Sequence, residues 1–154
     1  MIFFIFSIVM ETNHNIILDT EQLFKIKLLN EIDNDYLMIK SNHKYSVIDF
    51  ICINKNNLRT FYIEHKFKTY DKCYYDTLYI GYDKVNKCNK YFYNTIYIWE
   101  FKEELYWIHH SKDLLNSKQT YINGGECYEI DITKCNNTFD SLLEYINNLS
   151  NNRY

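Results

Sequence analysis

The chain has 154 residues, of which 47% are hydrophobic and 24% are charged. These values indicate one folded domain over residues 1–154 and exclude a disordered protein. The formal net charge of −3 gives no overall attraction to nucleic acid, although residues 53–92 hold eight cations against four anions. Such a local excess can still attract a polyanion, because screening confines charge effects to about 10 Å.

The composition is strongly biased, with 3 Gly, 0 Pro, no Ala, and arginine only at Arg59 and Arg153. Codons for the depleted residues are rich in G and C, so the bias indicates an AT-rich genome, such as that of a large DNA virus, a protist or a bacterium. The 16 tyrosines are therefore not by themselves evidence of a stacking surface.

The five cysteines are scattered along the chain, without the C-x-x-C or Cys/His spacing of zinc sites. An odd, scattered set favours reduced thiols over a disulfide framework. We therefore expect an intracellular protein, located in the cytoplasm or the nucleus. If the protein is viral, these are the compartments of the host cell.

The first ten residues, "MIFFIFSIVM", carry no charge. They are too few to span a bilayer, which takes about 20 residues, and they lack the basic region of a signal peptide. We expect an additional buried strand or a start codon assigned too early, and no stable membrane insertion. A membrane or secretory role is the alternative.

A helix is predicted over residues 18–33, with Asp19 or Thr20 as its N-cap and an apolar stripe every four residues. Three strands are predicted next, at Tyr36–Ile39, Tyr45–Ile53 and Thr60–Phe67. The polar "NKNN" over residues 54–57 predicts a turn between the second strand and the third.

The rest of the chain is read as partly helical over residues 74–91, followed by a hairpin of strands Thr95–Phe101 and Leu105–His109. A short strand at Tyr128–Ile132 follows Gly124-Gly125, and an amphipathic helix ends the chain. The alternation of helices and strands predicts an α+β or mixed α/β domain.

Asp49 is a carboxylate in the otherwise apolar strand "YSVIDFICI", where an unpaired charge would cost several kcal/mol. A two-residue turn at residues 56–57 pairs Lys55 with Leu58 in a hairpin. In the same register Asp49 faces Glu64, and like charges in facing positions are destabilising. This juxtaposition needs a compensating positive charge.

Two partners can supply that charge. A divalent cation between Asp49 and Glu64 is one, and oxygen ligands favour Mg²⁺ or Mn²⁺. Lys66 alone is the other, since it lies two residues beyond Glu64 on the same face and can pair with Asp49 across the strands. A slip of one residue in the register would move Asp49 to the opposite face.

The segments "YSVID" and "FYIEHK" resemble the PD-(D/E)XK nuclease superfamily, in which an Asp on one strand and E-x-K on the next bind metal and cleave phosphodiester bonds. Asp49, Glu64 and Lys66 match this motif, and Ile48 stands where the family often has Pro. The resemblance covers residues 18–101. It implies a restriction-endonuclease-like (resolvase-like) mixed central sheet in the order helix, three strands, helix and strand, with further strands and a helix after it.

Some members of the superfamily take another metal-binding glutamate from the first helix. Glu21 is preferred here to Glu31, because it lies on the apolar side near the start of the helix, although the helix dipole alone would also favour an acid there. Lys68 and Lys84 are candidates for contacts with the nucleic-acid backbone, or are solvated lysines. His65 is expected in the core.

The hypothesis that follows is a Mg²⁺-dependent nuclease acting on DNA, with Asp49, Glu64 and Lys66 as its catalytic residues and homodimerisation left open. One alternative is an inactive nucleic-acid-binding module on the same fold. A second is a structural or interaction protein, associated with membranes through residues 1–10.

Overall fold

The computed structural model describes residues 20–32, 35–42, 46–69 and 76–151. Within these ranges lie four α-helices: α1 (Thr20–Glu31), α2 (Tyr82–Tyr91), α3 (Lys112–Leu115) and α4 (Phe139–Asn151). The same ranges contain eight strands: β1 (Tyr36–Lys40), β2 (Phe50–Asn54), β3 (Thr60–Phe67), β4 (Thr77–Gly81), β5 (Thr95–Glu100), β6 (Leu105–His109), β7 (Lys118–Ile122) and β8 (Gly125–Asp131). The predictions on Asp19, Tyr45 and residues 1–10 lie outside the described residues.

Five strands form a mixed central sheet in the order β1-β2-β3-β5-β6. β3 and β5 run parallel, and the other neighbours are antiparallel. The connection from β3 to β5 passes through β4 and α2. The mixed α+β class is confirmed, as are the first helix, the β5–β6 hairpin and the C-terminal helix.

The central sheet is covered on both faces, which explains why β5 is buried along almost its whole length. Alternate residues of β5 enter two different cores, because successive side chains of a strand point to opposite faces. Ile96 and Ile98 pack with α1 and α4, whereas Tyr97 and Trp99 pack toward α2 and a second sheet.

That second sheet, in the order β4-β8-β7, was not predicted. The region before α2 was read as mixed, but it contains β4, and only part of β8 was anticipated. β7 is largely exposed and polar, so it lacks the apolar alternation that identifies a half-buried strand. Its place is determined by pairing with β8.

The β2–β3 hairpin has the predicted register, with Phe50 opposite Ile63 and Ile53 opposite Thr60. The predicted two-residue turn is wrong, because the loop spans residues 55–58 and the amide of Leu58 donates to the carbonyl of Asn54 at 2.8 Å. The second strand also begins at Phe50 and not near residue 45, so Asp49 lies half-buried at its start.

The side chain of Asn54 stabilises this loop, since its Oδ1 accepts from the amides of Asn56 and Asn57 at 2.9 and 3.2 Å and only 5% of the residue is exposed. Asn54→Ala should lower the free energy of unfolding by about 1–2 kcal/mol. Urea denaturation measures this loss. Exposed Asn56→Ala is the matched control, and equal losses in the two variants would contradict the role of Asn54.

Among the described residues, no helix is long and apolar enough to cross a bilayer.

Candidate active site

Asp49 and Glu64 meet at the start of β2 as the register predicts. The amide of Asp49 donates to the carbonyl of Ile63 at 2.8 Å, and the amide of His65 donates to Asp49 Oδ2 at 2.7 Å. These two bonds bracket Glu64, and its pKa is raised in part by the negative charge of Asp49. The two carboxylates therefore interact electrostatically across the strands.

Glu64 is the most deeply buried carboxylate of the site, with only 2% of the residue exposed. Burial, together with Asp49, raises its pKa to about 7, and the nearby Lys84 and Lys66 partly oppose the rise. Its Oε2 atom is buried and has no hydrogen-bond partner among the described residues. A buried carboxylate oxygen without a partner is costly, so this position suits a cation.

Lys66 lies on the same face as Glu64, because it is two residues further along β3. Glu64 pairs with Tyr97 of the parallel strand β5, and Lys66 pairs with Trp99. Its Nζ donates to the carbonyl of Tyr79 in β4 at 3.1 Å. Burial lowers the pKa of the ammonium group, and the charge of Glu64 opposes that shift. The lysine is thus held between the two sheets, next to the carboxylates.

Lys84, in the first turn of α2, forms an ion pair and donates a hydrogen bond to Glu64 Oε1. Lys84 was a candidate for a contact with the nucleic-acid backbone or a solvated lysine, and in the structure its ammonium group partly neutralises the buried carboxylate. Its side chain remains 36% exposed, whereas that of Glu64 is 2% exposed. The lysine can therefore turn toward solvent, but only if another positive charge takes its place at the buried Glu64.

Asp49, Glu64, Lys66 and Lys84 line one polar cleft of about 510 Å³, which we call the carboxylate cleft. Its other lining residues are Glu21, Lys40, Ser41, Asn42, Ser46 and His65. The cleft thus brings together every predicted catalytic and metal-binding residue. Lys68 is not among the residues that line it.

Glu21 lines the cleft from the start of α1 but is engaged by Lys40, whose Nζ lies 2.8 Å from Glu21 Oε2. Glu31, the less favoured candidate, is exposed at the other end of α1. The side chain of Glu21 is itself 35% exposed, which leaves it free to rearrange. Its role as a metal ligand stays a prediction.

His65 is buried on the opposite face of β3, where its ring stacks on Phe24 at 4.2 Å. Its Nε2 is 2.9 Å from Glu100 Oε2 at the end of β5. The ring therefore belongs to the core beneath the site, as predicted, while its amide holds Asp49. Glu100 was not singled out from the sequence, although a carboxylate ending an apolar strand is a usable signal.

The donor set fits Mg²⁺ or Mn²⁺ better than a transition metal bound by nitrogen or sulfur. Among the described residues, no group of three or more His, Cys, Asp or Glu side chains is placed to hold a metal ion, so Glu21 would have to move to join Asp49 and Glu64. Mg²⁺ is commonly held by one or two carboxylates, with water and phosphate oxygens completing its shell. Asp49 and the unpartnered oxygen of Glu64 meet that requirement.

The residues that sequence reasoning missed lie on other elements. Lys40, Ser41 and Ser46 line the cleft from the segments around β1 and β2, and the carbonyl of Tyr79 anchors Lys66. The polar residues after β1 were only a weak sequence signal for a site. The contribution of a backbone carbonyl cannot be recognised from the sequence at all. Only packing of the second sheet against the first brings Tyr79 to Lys66.

No family model and no curated protein matches the sequence. Among solved structures, D212, a nuclease from a fusselovirus, aligns with a TM-score of 0.55 at 18% identity, over 84% of this chain and 86% of its own. Hjc from Archaeoglobus fulgidus, a Holliday junction resolvase from an archaeal hyperthermophile, aligns with a TM-score of 0.45 at 11% identity, over 73% of this chain and 88% of its own. The mixed central sheet and the likeness to D212 show that this chain has a restriction-endonuclease-like fold.

Proposed function

We propose that this protein is a Mg²⁺- or Mn²⁺-dependent nuclease that hydrolyses phosphodiester bonds in DNA. The observation that carries the proposal is the meeting of two carboxylates, one of them with a buried unpartnered oxygen, beside a lysine in an open polar cleft. A purely structural pair of acids would be expected to end in a complete set of hydrogen bonds.

Asp49 and Glu64 would hold the metal ion, with Glu21 as a further candidate ligand at the same cleft. The bond from the His65 amide fixes one oxygen of Asp49, so the carboxylate is oriented before any ligand arrives. When bound, Mg²⁺ supplies Lewis-acid chemistry, lowering the pKa of a water molecule and polarising the scissile phosphate.

Lys66 would place its ammonium group beside the phosphate, where it orients the attacking water and stabilises the developing negative charge. The carbonyl of Tyr79 limits the positions its Nζ can take, which favours a fixed geometry. Lys84 would balance the charge of Glu64 in the metal-free protein and contact a phosphate once that carboxylate is otherwise neutralised.

A polyanionic substrate is supported by charge. Three lysines line the carboxylate cleft against three carboxylates, so a bound divalent cation would leave the cleft positive overall. Residues 53–92 also hold twice as many cations as anions. Lysines near the phosphates gain affinity by releasing counterions, so binding should weaken as salt is raised. DNA and RNA oligonucleotides of the same sequence test which nucleic acid is the substrate.

The decisive experiment combines calorimetry with cleavage. Wild type should bind Mn²⁺ and cut DNA only with Mg²⁺ or Mn²⁺ present, whereas Asp49→Asn should lose at least about 10-fold in metal affinity, because loss of even an outer-shell partner commonly does so. The Asp49→Asn variant should not cut DNA. Glu31→Gln, an exposed acid on α1, is the matched control and should behave as wild type.

Glu21→Gln tests the third ligand in the same titration, and reduced Mn²⁺ affinity would assign it to the metal. If wild type binds DNA but neither binds Mn²⁺ nor cuts, the protein is an inactive nucleic-acid-binding module and the proposal is wrong. Equal cleavage by wild type and Asp49→Asn would also contradict it.

A further inference from the structure

A second cavity of about 630 Å³ adjoins the carboxylate cleft, and we call it the hairpin cleft. Its lining includes Lys66 and Lys84, which also line the carboxylate cleft, together with Asp83, Tyr121 and Glu126. Because both lysines line both cavities, the two cavities are neighbours at the candidate catalytic residues. The volume lies within the range of about 300–1,000 Å³ typical of small-ligand sites.

The far wall of the hairpin cleft is the turn between β7 and β8, at residues 123–124, where Asn123 and Gly124 both have positive φ angles. Tyr121 lies on this hairpin with 69% of its surface exposed, and its hydroxyl donates to the carbonyl of Gly124 at 2.9 Å. That bond holds a large aromatic ring in place at the surface, which is the requirement for a stacking platform.

The charges that line the hairpin cleft disfavour a phosphate group next to Tyr121. Asp83 and Glu126 line only the hairpin cleft, whereas the lysines lie at the boundary with the carboxylate cleft. A phosphate beside the two acids would be repelled, but carboxylates accept hydrogen bonds from the amino groups of bases. A nucleotide with its phosphate at the lysines and its base at Tyr121 satisfies both regions.

We infer that the hairpin cleft binds an unpaired nucleobase next to the scissile phosphate, with Tyr121 as the stacking residue. The inference rests on the proposed nuclease function and deepens it by naming the substrate class: DNA that is single-stranded or carries an unpaired nucleotide at the cut. A paired base stays inside the duplex stack and reaches such a pocket only after it is unpaired and unstacked.

The test uses the full chain with Asp49→Asn to prevent cutting, and two DNA duplexes that differ only at one position. In one duplex a 2-aminopurine is paired, and in the other it is unpaired. The unpaired duplex should bind about 10-fold more tightly, with its fluorescence quenched on binding, because stacking on one aromatic ring has an effect of this size.

The additional substitution Tyr121→Ala should remove both the preference and the quenching, whereas Tyr121→Phe keeps the ring but loses the hydroxyl bond to Gly124, so it should weaken both without removing them. The matched control is Tyr93→Ala, which removes a tyrosine that is 68% exposed and lines a different cavity. The thermal midpoint of each variant shows that it is folded.

Equal affinity for the two duplexes, or the same behaviour of Tyr121→Ala and Tyr93→Ala, would overturn the inference. These outcomes are separate from those of the nuclease assay on wild type. Cutting without a preference for the unpaired base leaves the proposed function and removes the base pocket. A preference for the unpaired base without any cutting would leave the base pocket and contradict the proposed nuclease function.

Discussion

Replacing Lys66 with methionine should reduce the rate of DNA cleavage by about 10²- to 10³-fold, the loss seen when one preorganised donor to a developing charge is removed. Methionine keeps much of the apolar stem of lysine but removes the ammonium group. Asp49 and Glu64 are unchanged, so Mn²⁺ binding should persist. Single-turnover cleavage and calorimetry on the same preparation measure the two properties separately.

Lys68→Met is the matched control, since Lys68 is the next lysine of the same alternating series but does not line the carboxylate cleft. It should leave the single-turnover rate near that of wild type. If Lys68 contacts a phosphate, its loss should weaken DNA binding and reduce the salt dependence by about one counterion. Equal rate losses in both variants would mean that Lys66 acts only through general charge.

The second large effect concerns stability without metal. Glu64 has a pKa of about 7 in the folded protein and an ordinary value of 4.5, so the folded state binds its proton more tightly than the unfolded state does. The stabilisation is complete below about pH 4.5 and is lost as the pH rises through about 7. The gap corresponds to about 3 kcal/mol of unfolding free energy.

Glu64→Gln should remove this loss, because the amide has the shape of the carboxyl group and stays neutral. In EDTA the variant should match wild type near pH 5 and exceed its unfolding free energy by up to about 3 kcal/mol at pH 8. Urea denaturation at the two pH values gives the difference directly. Parallel pH profiles for the two proteins would contradict the burial of an ionisable carboxyl here.

Lys84→Met provides the opposite change at the same contact. Lys84 lowers the pKa of Glu64, so its removal should raise that pKa further and deepen the loss of stability at high pH. Glu64→Gln and Lys84→Met should therefore move stability at pH 8 in opposite directions. Lys84→Met together with Glu64→Gln should return most of the lost stability, since the buried charge is then absent.

The facing of Asp49 and Glu64 was predictable because strand geometry is local. Side chains alternate with a period of two, and the polar residues 54–57 mark the centre of the hairpin. The loop is longer than predicted, but it opens by one residue on each side of the same centre. Every pair beyond it therefore keeps its register, and E-x-K on β3 points to the same face as Asp49.

The sequence by itself thus determined the class of the fold, the β2–β3 register and the three residues that match the nuclease motif. The tertiary structure alone decided the second sheet, the anchoring of Lys66 by Tyr79 and the contact of Lys84 with Glu64. The last two contacts join residues 13 and 20 positions apart, on elements that meet only when apolar surface is buried between the two sheets. The periodicity of the sequence within each element cannot predict these contacts, because they depend on how the layers pack together and not on how each element forms.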